Sequence, residues 1–102
     1  MGFRLVIAEG KGAGKEFSFA QDVVGIGRTQ QNDLVLFDTG ISRAHCEIVL
    51  HQGHYILRDL GSANGTYVND VLTTEGHLAE GDHITIGPIQ FAFHLSDTQP
   101  RV

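Results

Sequence analysis

Three polar stretches of the sequence carry side chains that could bind a phosphate group. Gly27-Arg28 ends one apolar run, Ser42-Arg43-Ala44-His45 begins another, and Asn64-Gly65 separates two more. The donor fork of a guanidinium matches phosphate oxygens, a serine hydroxyl adds a further donor, and an asparagine amide can donate to and accept from an extended peptide backbone. Together these groups favour recognition of a phosphorylated peptide.

Each of these residues also has an ordinary structural interpretation. Arg28 could be a surface cation, Ser42 a turn residue, and Asn64-Gly65 a tight hairpin turn. His45 is better explained as a hydrogen-bonding brace between loops than as a ligand or a base. The phosphate hypothesis therefore depends on a fold that brings the three stretches together.

The elements that must position these stretches are strands. Apolar and polar residues alternate along most of the chain, and no stretch has convincing helical periodicity. Glycine-containing turns separate the runs, which predicts an all-β sandwich with its loops gathered at the two ends. We expect about 10 or 11 strands, near residues 3–7, 17–19, 22–27, 34–36, 45–50, 54–59, 66–68, 71–72, 83–86 and 89–95.

The same alternation predicts one hydrophobic core. At 102 residues the chain has the length of a single ordinary domain. We expect this domain to span residues 1–95, and the polar residues 96–102 to form a frayed tail or the start of a linker within a larger polypeptide. The expected core residues are Leu5, Phe17, Phe19, Ile48, Ile56, Ile84, Phe91 and Phe93.

Charge and apolar content argue against several classes of partner. Seven Lys and Arg against 12 Asp and Glu give a formal net charge of −5, which opposes binding to nucleic acid and to anionic membranes. No apolar run approaches the roughly 20 residues of a membrane-spanning helix, and the first residues do not match a signal peptide. A single cysteine fits a reducing compartment. We therefore expect a cytoplasmic protein whose anion binding depends on a few local cations.

The segment GKGAGKE, residues 10–16, resembles a nucleotide-binding loop only at first sight. It lacks the first glycine and the final hydroxyl residue of that pattern, and a strand pattern follows it instead of a helix. We interpret it as a flexible loop between two strands.

Other reactive residues fit ordinary structure better than catalysis. His45 and Cys46 are neighbours on a strand and face opposite ways, so they cannot form a nucleophile–base pair, and Cys46 is interpreted as a core residue. His45, His51 and His54 match no zinc spacing. Acidic residues beside turns are expected to bond the backbone and form no acid–base pair; they are Asp33, Asp38, Asp59 and Asp82. We expect no enzyme activity, no cofactor and no metal.

Three blocks of the sequence, taken together, resemble the forkhead-associated (FHA) domain family. They are GR at 27–28, SRAH at 42–45 and DLGSANGTYVN at 59–69, and the likeness extends from Phe3 to about Leu95. One block alone would be a weak signal, but three in the family's order and spacing are specific. The resemblance implies a β-sandwich of about 11 strands that binds phosphothreonine in partner proteins.

The resemblance also implies a role for each matching residue. Arg28 and Ser42 would bind the phosphate, Arg43 would lie at the edge of the site, and Asn64 would hold the peptide main chain just after the phosphothreonine. Supporting positions would be Gly27, His45, Gly65 and Asn69, with His45 tying the binding loops together. The sequence departs from the family at Ala63, where many members have a threonine that lines the phosphothreonine pocket.

These observations lead to a hypothesis of a non-catalytic module that docks onto Thr-phosphorylated proteins in Ser/Thr kinase signalling. The alternative is a phosphate-independent assembly or scaffold module that uses a sheet face, which Ala63 slightly favours. A nucleotide-using enzyme would depend on GKGAGKE alone. A further hypothesis is that Thr98 is itself phosphorylated and occupies the site of its own or another copy.

Overall fold

The computed structural model describes residues 1–96, which form two β-sheets. The eleven strands within this range are β1 Gly2–Glu9, β2 Glu16–Phe19, β3 Val23–Gly27, β4 Leu34–Val35, β5 Cys46–His51, β6 His54–Asp59, β7 Thr66–Val68, β8 Val71–Leu72, β9 Glu75–His77, β10 His83–Ile86 and β11 Ile89–Ser96. Residues 97–102, including Thr98 and most of the predicted polar tail, lie outside the described residues.

The two sheets confirm the predicted sandwich. One sheet has the strand order β2-β1-β11-β10-β7-β8 and the other the order β4-β3-β5-β6-β9. All strand pairs are antiparallel except β3 and β4, which are parallel. Strand β9 was not predicted, because Glu75-Gly76-His77 has no apolar residue; it is a strand because it pairs with β6 through the backbone.

The core lies between the sheets and follows from the alternation of side chains along each strand. Phe3 on β1 and Phe93 on β11 are fully buried, and their ring centroids are 5.4 Å apart. Tyr55, on β6 of the opposite sheet, contacts Phe3 edge-on at 4.9 Å. These aromatic contacts join the two layers, and because large buried rings dominate core energetics they contribute strongly to the free energy of folding.

Most of the predicted core is confirmed. Leu5, Ile48, Ile84, Phe91 and Phe93 are fully buried, and Ile56 is 8% exposed. The prediction was wrong for the two remaining residues, Phe17 and Phe19. Their side chains are only partly buried and pack against the margin of the core. Their strand, β2, is at the edge of its sheet and pairs only with β1, so within residues 1–96 no further strand adjoins its outer edge.

The GKGAGKE segment connects β1 to β2, as predicted. Ile7 N donates to Lys15 O at 2.9 Å, and Gly14 N donates to Ile7 O at 2.8 Å. The chain then continues directly into strand β2. The helix N-terminus that a nucleotide-binding loop requires is therefore absent at this place.

Cys46 is a core residue, as predicted. Its side chain is fully buried, and burial raises the pKa of its thiol to about 12. Because the thiolate is the reactive form, this cysteine is chemically protected while the fold is intact.

We predict that native protein does not react with a thiol-specific reagent at mildly alkaline pH, whereas urea-unfolded protein reacts completely. The reaction can be followed by the absorbance of the released chromophore. Rapid labelling of the native protein at the rate of a free cysteine would contradict the buried position of Cys46.

Candidate functional site

Three loops meet at one end of the sandwich. They connect β3 to β4 (residues 28–33), β4 to β5 (residues 36–45) and β6 to β7 (residues 60–65). Between them lies a groove of about 530 Å³, lined by Arg28, Phe37, Asp38, Thr39, Gly40, Ile41, Ser42, Ala63 and Asn64. We name it the Arg28 groove. It brings together the arginine, the serine and the asparagine that the sequence singled out.

The main-chain carbonyl of Arg43 joins the first two loops. It accepts from Arg28 N at 3.1 Å and from Asn32 Nδ2 at 2.7 Å. The approach is possible because residue 27 is glycine: a Cβ there would lie 2.2 Å from Arg43 O, well inside van der Waals contact. Gly27 therefore has a steric role at the base of the site.

The side chain of Arg28 is exposed and held in place at one end. Its Nε donates to Ile41 O at 3.1 Å, whereas its two Nη groups have no acceptor within residues 1–96. The guanidinium thus has a fixed orientation and a free edge on the groove. A fixed, unpaired guanidinium is suited to a bidentate contact with an anionic oxygen pair.

Ser42 and His45 connect the second loop to the third. Ser42 N donates to His45 Nδ1 at 3.1 Å, so Nδ1 carries no proton. His45 Nε2 must then be the protonated nitrogen, which donates to Gly65 O at 2.9 Å. His45 is fully buried and bridges the two loops through both ring nitrogens.

The hydroxyl of Ser42 makes a second link to the third loop. Ala63 N donates to Ser42 Oγ at 3.0 Å. Since this contact uses the oxygen as an acceptor, the hydroxyl hydrogen remains available to a ligand in the groove.

Asn64 lies on the exposed side of the groove, beside the second loop. Its Nδ2 donates to Gly40 O at 3.0 Å. Within residues 1–96 its Oδ1 has no donor, so it can accept a hydrogen bond from a peptide N–H. The next residue, Gly65, has φ +84°, a conformation that favours glycine, and a Cβ there would lie 2.5 Å from Leu72 Cδ1.

Asp59, the last residue of β6, organises the third loop. Its Oδ2 accepts from Gly61 N at 3.1 Å and Ser62 N at 3.0 Å, and its Oδ1 accepts from Ser62 Oγ and Thr66 Oγ1. Partial burial raises the pKa of Asp59, but these hydrogen bonds outweigh it and hold the pKa below its ordinary value. The predicted backbone-bonding role of this aspartate is confirmed.

Two residues named from the sequence lie away from the groove. The side chain of Arg43 is exposed and does not line the groove. Asn69 lies in the β7–β8 turn with φ 49°, where its Oδ1 accepts from His83 N at 2.9 Å and its Nδ2 donates to Asp82 Oδ1 at 3.1 Å. Asn69 therefore fastens this hairpin to the start of β10 and does not line the Arg28 groove.

The sequence analysis missed Asn32. Its Nδ2 donates to Thr29 O at 2.9 Å and to Arg43 O at 2.7 Å, so it fixes the first loop against the second. The signal available in the sequence was only a polar loop, TQQND. Which amide of that loop turns inward depends on the path of residues 40–45, which local sequence does not specify.

Within residues 1–96, no three His, Cys, Asp or Glu side chains are grouped so that they could hold a metal ion. The same residues include no helix long and apolar enough to cross a membrane.

The chain matches one protein-family model and several curated proteins. A family model described as "Inner membrane component of T3SS, cytoplasmic domain" matches residues 6–97. The glycogen accumulation regulator GarA of Mycolicibacterium smegmatis is 38% identical over 87% of this chain and 56% of its own length. The chain thus spans just over half the length of this relative and of two further curated relatives that it matches.

Two solved structures share the fold and part of the sequence. An FHA domain from a structural and functional study of phosphothreonine-dependent FHA interactions has a TM-score of 0.85 and 33% identity, over 95% of this chain and 99% of that chain. Mycobacterium tuberculosis EmbR, in complex with a low-affinity phosphopeptide, also has a TM-score of 0.85, with 30% identity over 98% of this chain and 26% of that chain.

We predict that Asp59→Asn lowers stability at neutral pH and that the deficit shrinks in acid. Because the folded state lowers the pKa of Asp59, its contribution is present above the unfolded pKa of about 4 and is lost as pH falls through the lower folded pKa. Urea unfolding followed by circular dichroism across a pH series measures the effect.

The matched control is Asp70→Asn, which makes the same change of charge at an exposed turn residue whose side chain accepts no hydrogen bond within residues 1–96. The prediction is contradicted if the free energies of unfolding of Asp59→Asn and the wild type differ by the same amount at every pH, because the charge of Asp59 would then not contribute to stability.

Proposed function

We propose that this chain, which belongs to the forkhead-associated family, is a phosphothreonine-dependent interaction module. In this role it docks onto Thr-phosphorylated partners in Ser/Thr kinase signalling. The observation that carries the proposal is the convergence of Arg28, Ser42 and Asn64 on one groove. These residues are separated by up to 36 positions in sequence (64 − 28), and each has a donor or acceptor left free on the groove.

In the proposed complex Arg28 and Ser42 bind the phosphate. The Nη edge of Arg28 supplies paired charge-assisted donors, and the Ser42 hydroxyl donates because Ala63 N already occupies its acceptor side. Asn64 binds the main chain of the residue after the phosphothreonine through its free oxygen. Arg43, which is exposed outside the groove, acts at the edge of the bound peptide.

The hydrogen bonds between the loops favour ligand binding. The links through Arg43 O, His45 and Asp59 fix the three loops before any ligand binds, so little conformational entropy is lost on binding.

The charge of the protein favours selective binding. With a formal net charge of −5, the protein repels polyanions in general, and a phosphate is favoured only where the local donors meet it.

A non-catalytic role agrees with the bonding of Ser42 and His45. A serine nucleophile needs its Oγ bonded to the base, but His45 accepts from the main-chain N of Ser42 instead. Both ring nitrogens of His45 are occupied and the ring is fully buried, so it cannot take a proton from a substrate in the groove.

We further propose that this module works in the cytoplasm as one part of a longer protein. The buried free thiol of Cys46 suits a reducing compartment. Curated relatives such as the glycogen accumulation regulator GarA are nearly twice as long as the aligned region, and that name describes a regulator, not an enzyme.

We predict that Arg28→Ala abolishes phosphate-dependent binding while the fold remains. Two charge-assisted hydrogen bonds at about 1.5–3 kcal/mol each amount to a loss of about a hundredfold or more in affinity. Arg28→Lys keeps the charge but loses the fork and the bond to Ile41 O, so it should recover only part of the affinity. A phosphothreonine peptide selected from an oriented library provides the ligand, and fluorescence anisotropy gives the dissociation constant.

The control variant is Arg58→Ala, which removes a cation paired with glutamates on the sheet surface. It should bind like the wild type. Equal affinity of the wild type for the phosphorylated and unphosphorylated forms of the selected peptide would disprove the proposal.

We also predict that Ala63→Thr increases affinity for the same peptide. Ala63 is exposed and lines the groove, so a hydroxyl can be added there without displacing the core. One additional hydrogen bond to the ligand, at about 0.5–1.5 kcal/mol, corresponds to roughly a two- to tenfold gain. Calorimetry with phosphothreonine and phosphoserine peptides tests it, and unchanged affinity for both would show that position 63 does not reach the ligand.

A further inference from the structure

Both lysines of the chain lie in the short β1–β2 loop. They are Lys11 and Lys15, and no other lysine occurs in the sequence. The loop turns tightly at Gly12, whose φ is +86°, and the side chain of Lys15 passes close to it: a Cβ at Gly12 would lie 3.5 Å from Lys15 Cδ. The turn thus brings both lysines to one part of the surface.

A second groove, of about 290 Å³, lies between this loop and the β4–β5 loop. We name it the lysine groove. Lys11 and Lys15 line it together with apolar side chains that include Phe17, Val35 and Phe37. Phe37 is 75% exposed. Ammonium groups beside apolar surface attract an anion more strongly than they would in open water, because the local dielectric constant is lower.

The other cations of the described chain show that this arrangement is not a general property of the surface. Arg4 and Arg58 are paired with glutamates on the sheets, at 3.1 and 3.2 Å. Within residues 1–96, neither lysine forms such a pair, and neither do Arg28 and Arg43. The unpaired lysines and arginines of this part of the chain therefore all belong to loops at the end that holds the Arg28 groove.

The lysine groove is continuous with the Arg28 groove. Phe37 and Asp38 line both of them, so a peptide bound at Arg28 can extend into the lysine groove along the surface. Asn64 lines only the Arg28 groove of the two, and under the proposed function it holds the residue after the phosphothreonine. The part of the peptide near the lysines is then the part before the phosphothreonine.

This inference rests on the proposed function and extends it. We infer that the lysine groove is a second subsite, which binds an anionic side chain on the amino-terminal side of the phosphothreonine. The anion is the carboxylate of an acidic residue or the phosphate of a second phosphorylated residue. The partner would then be selected by two negative groups, one in each groove.

The carboxylate of Asp38 opposes this attraction. It lines both grooves, and its charge repels an anionic ligand in either. Exposed ion pairs contribute little individually, so each lysine should improve affinity by about two- to fivefold. The subsite therefore adjusts selectivity among phosphorylated partners and does not replace the main phosphate contact.

The test uses a phosphothreonine peptide that binds the wild type, varied at one position at a time on either side of the phosphothreonine. Each position receives Gln, Glu or a second phosphothreonine, and fluorescence anisotropy gives the dissociation constants at low and high salt. We expect Glu, the second phosphothreonine or both to bind several-fold more tightly than Gln at a position before the central phosphothreonine, with less difference at high salt. Preference for Glu identifies acidic residues as the ligand, and preference for phosphothreonine alone identifies a second phosphorylation.

Three variants decide whether the lysines are responsible. The double variant Lys11→Gln, Lys15→Gln should bind the Gln peptide like the wild type but lose the preference for an anion. Arg58→Gln, which removes a paired cation elsewhere, should keep the preference. Asp38→Asn should increase it. Urea unfolding of each variant confirms that the fold is intact.

Three results would overturn the inference. They are a preference that survives in the double lysine variant, a preference found only after the phosphothreonine, and no preference at any position. In each of these cases, binding that still depends on Arg28 leaves the proposed function standing. If no phosphothreonine peptide binds the wild type, the proposed function and the second subsite both fail.

Discussion

The loop end of this domain depends on the close approach of two chain segments at Gly27. With no side chain at this position, the carbonyl of Arg43 can come near enough to accept from Arg28 N and from the amide of Asn32. These bonds hold the first loop against the second and fix the backbone from which the Arg28 side chain extends. A Cβ at residue 27 would lie only 2.2 Å from the carbonyl oxygen. The geometry of the groove therefore depends on the absence of a side chain at Gly27.

Hydrogen bonds also hold the third loop against the second. His45 is buried without an unsatisfied ring nitrogen, because one nitrogen accepts from Ser42 N and the other donates to Gly65 O. Asp59 supplies acceptors to the start of the same loop. The groups that shape the groove are therefore paired within the protein, and the unpaired atoms of Arg28, Ser42 and Asn64 belong to residues that line it.

Charge is distributed to match this division. Arginines on the sheets are neutralised by glutamates, whereas the lysines and arginines of the loop end have no acidic partner within residues 1–96. A chain of net charge −5 thus carries a small cationic region at one end. Under the proposed function, long-range repulsion limits non-specific binding of polyanions, and short-range hydrogen bonds select the bound anion.

The sequence by itself determined the fold class, most strand positions and three of the residues that line the Arg28 groove. Alternation is a local property of strands, and the three blocks that resemble the family identify Arg28, Ser42 and Asn64 directly. Only the tertiary structure decided the pairing of β9, the partial exposure of Phe17, the inward turn of Asn32 and the continuity between the two grooves. These depend on contacts between residues distant in sequence, which local periodicity and spacing do not encode.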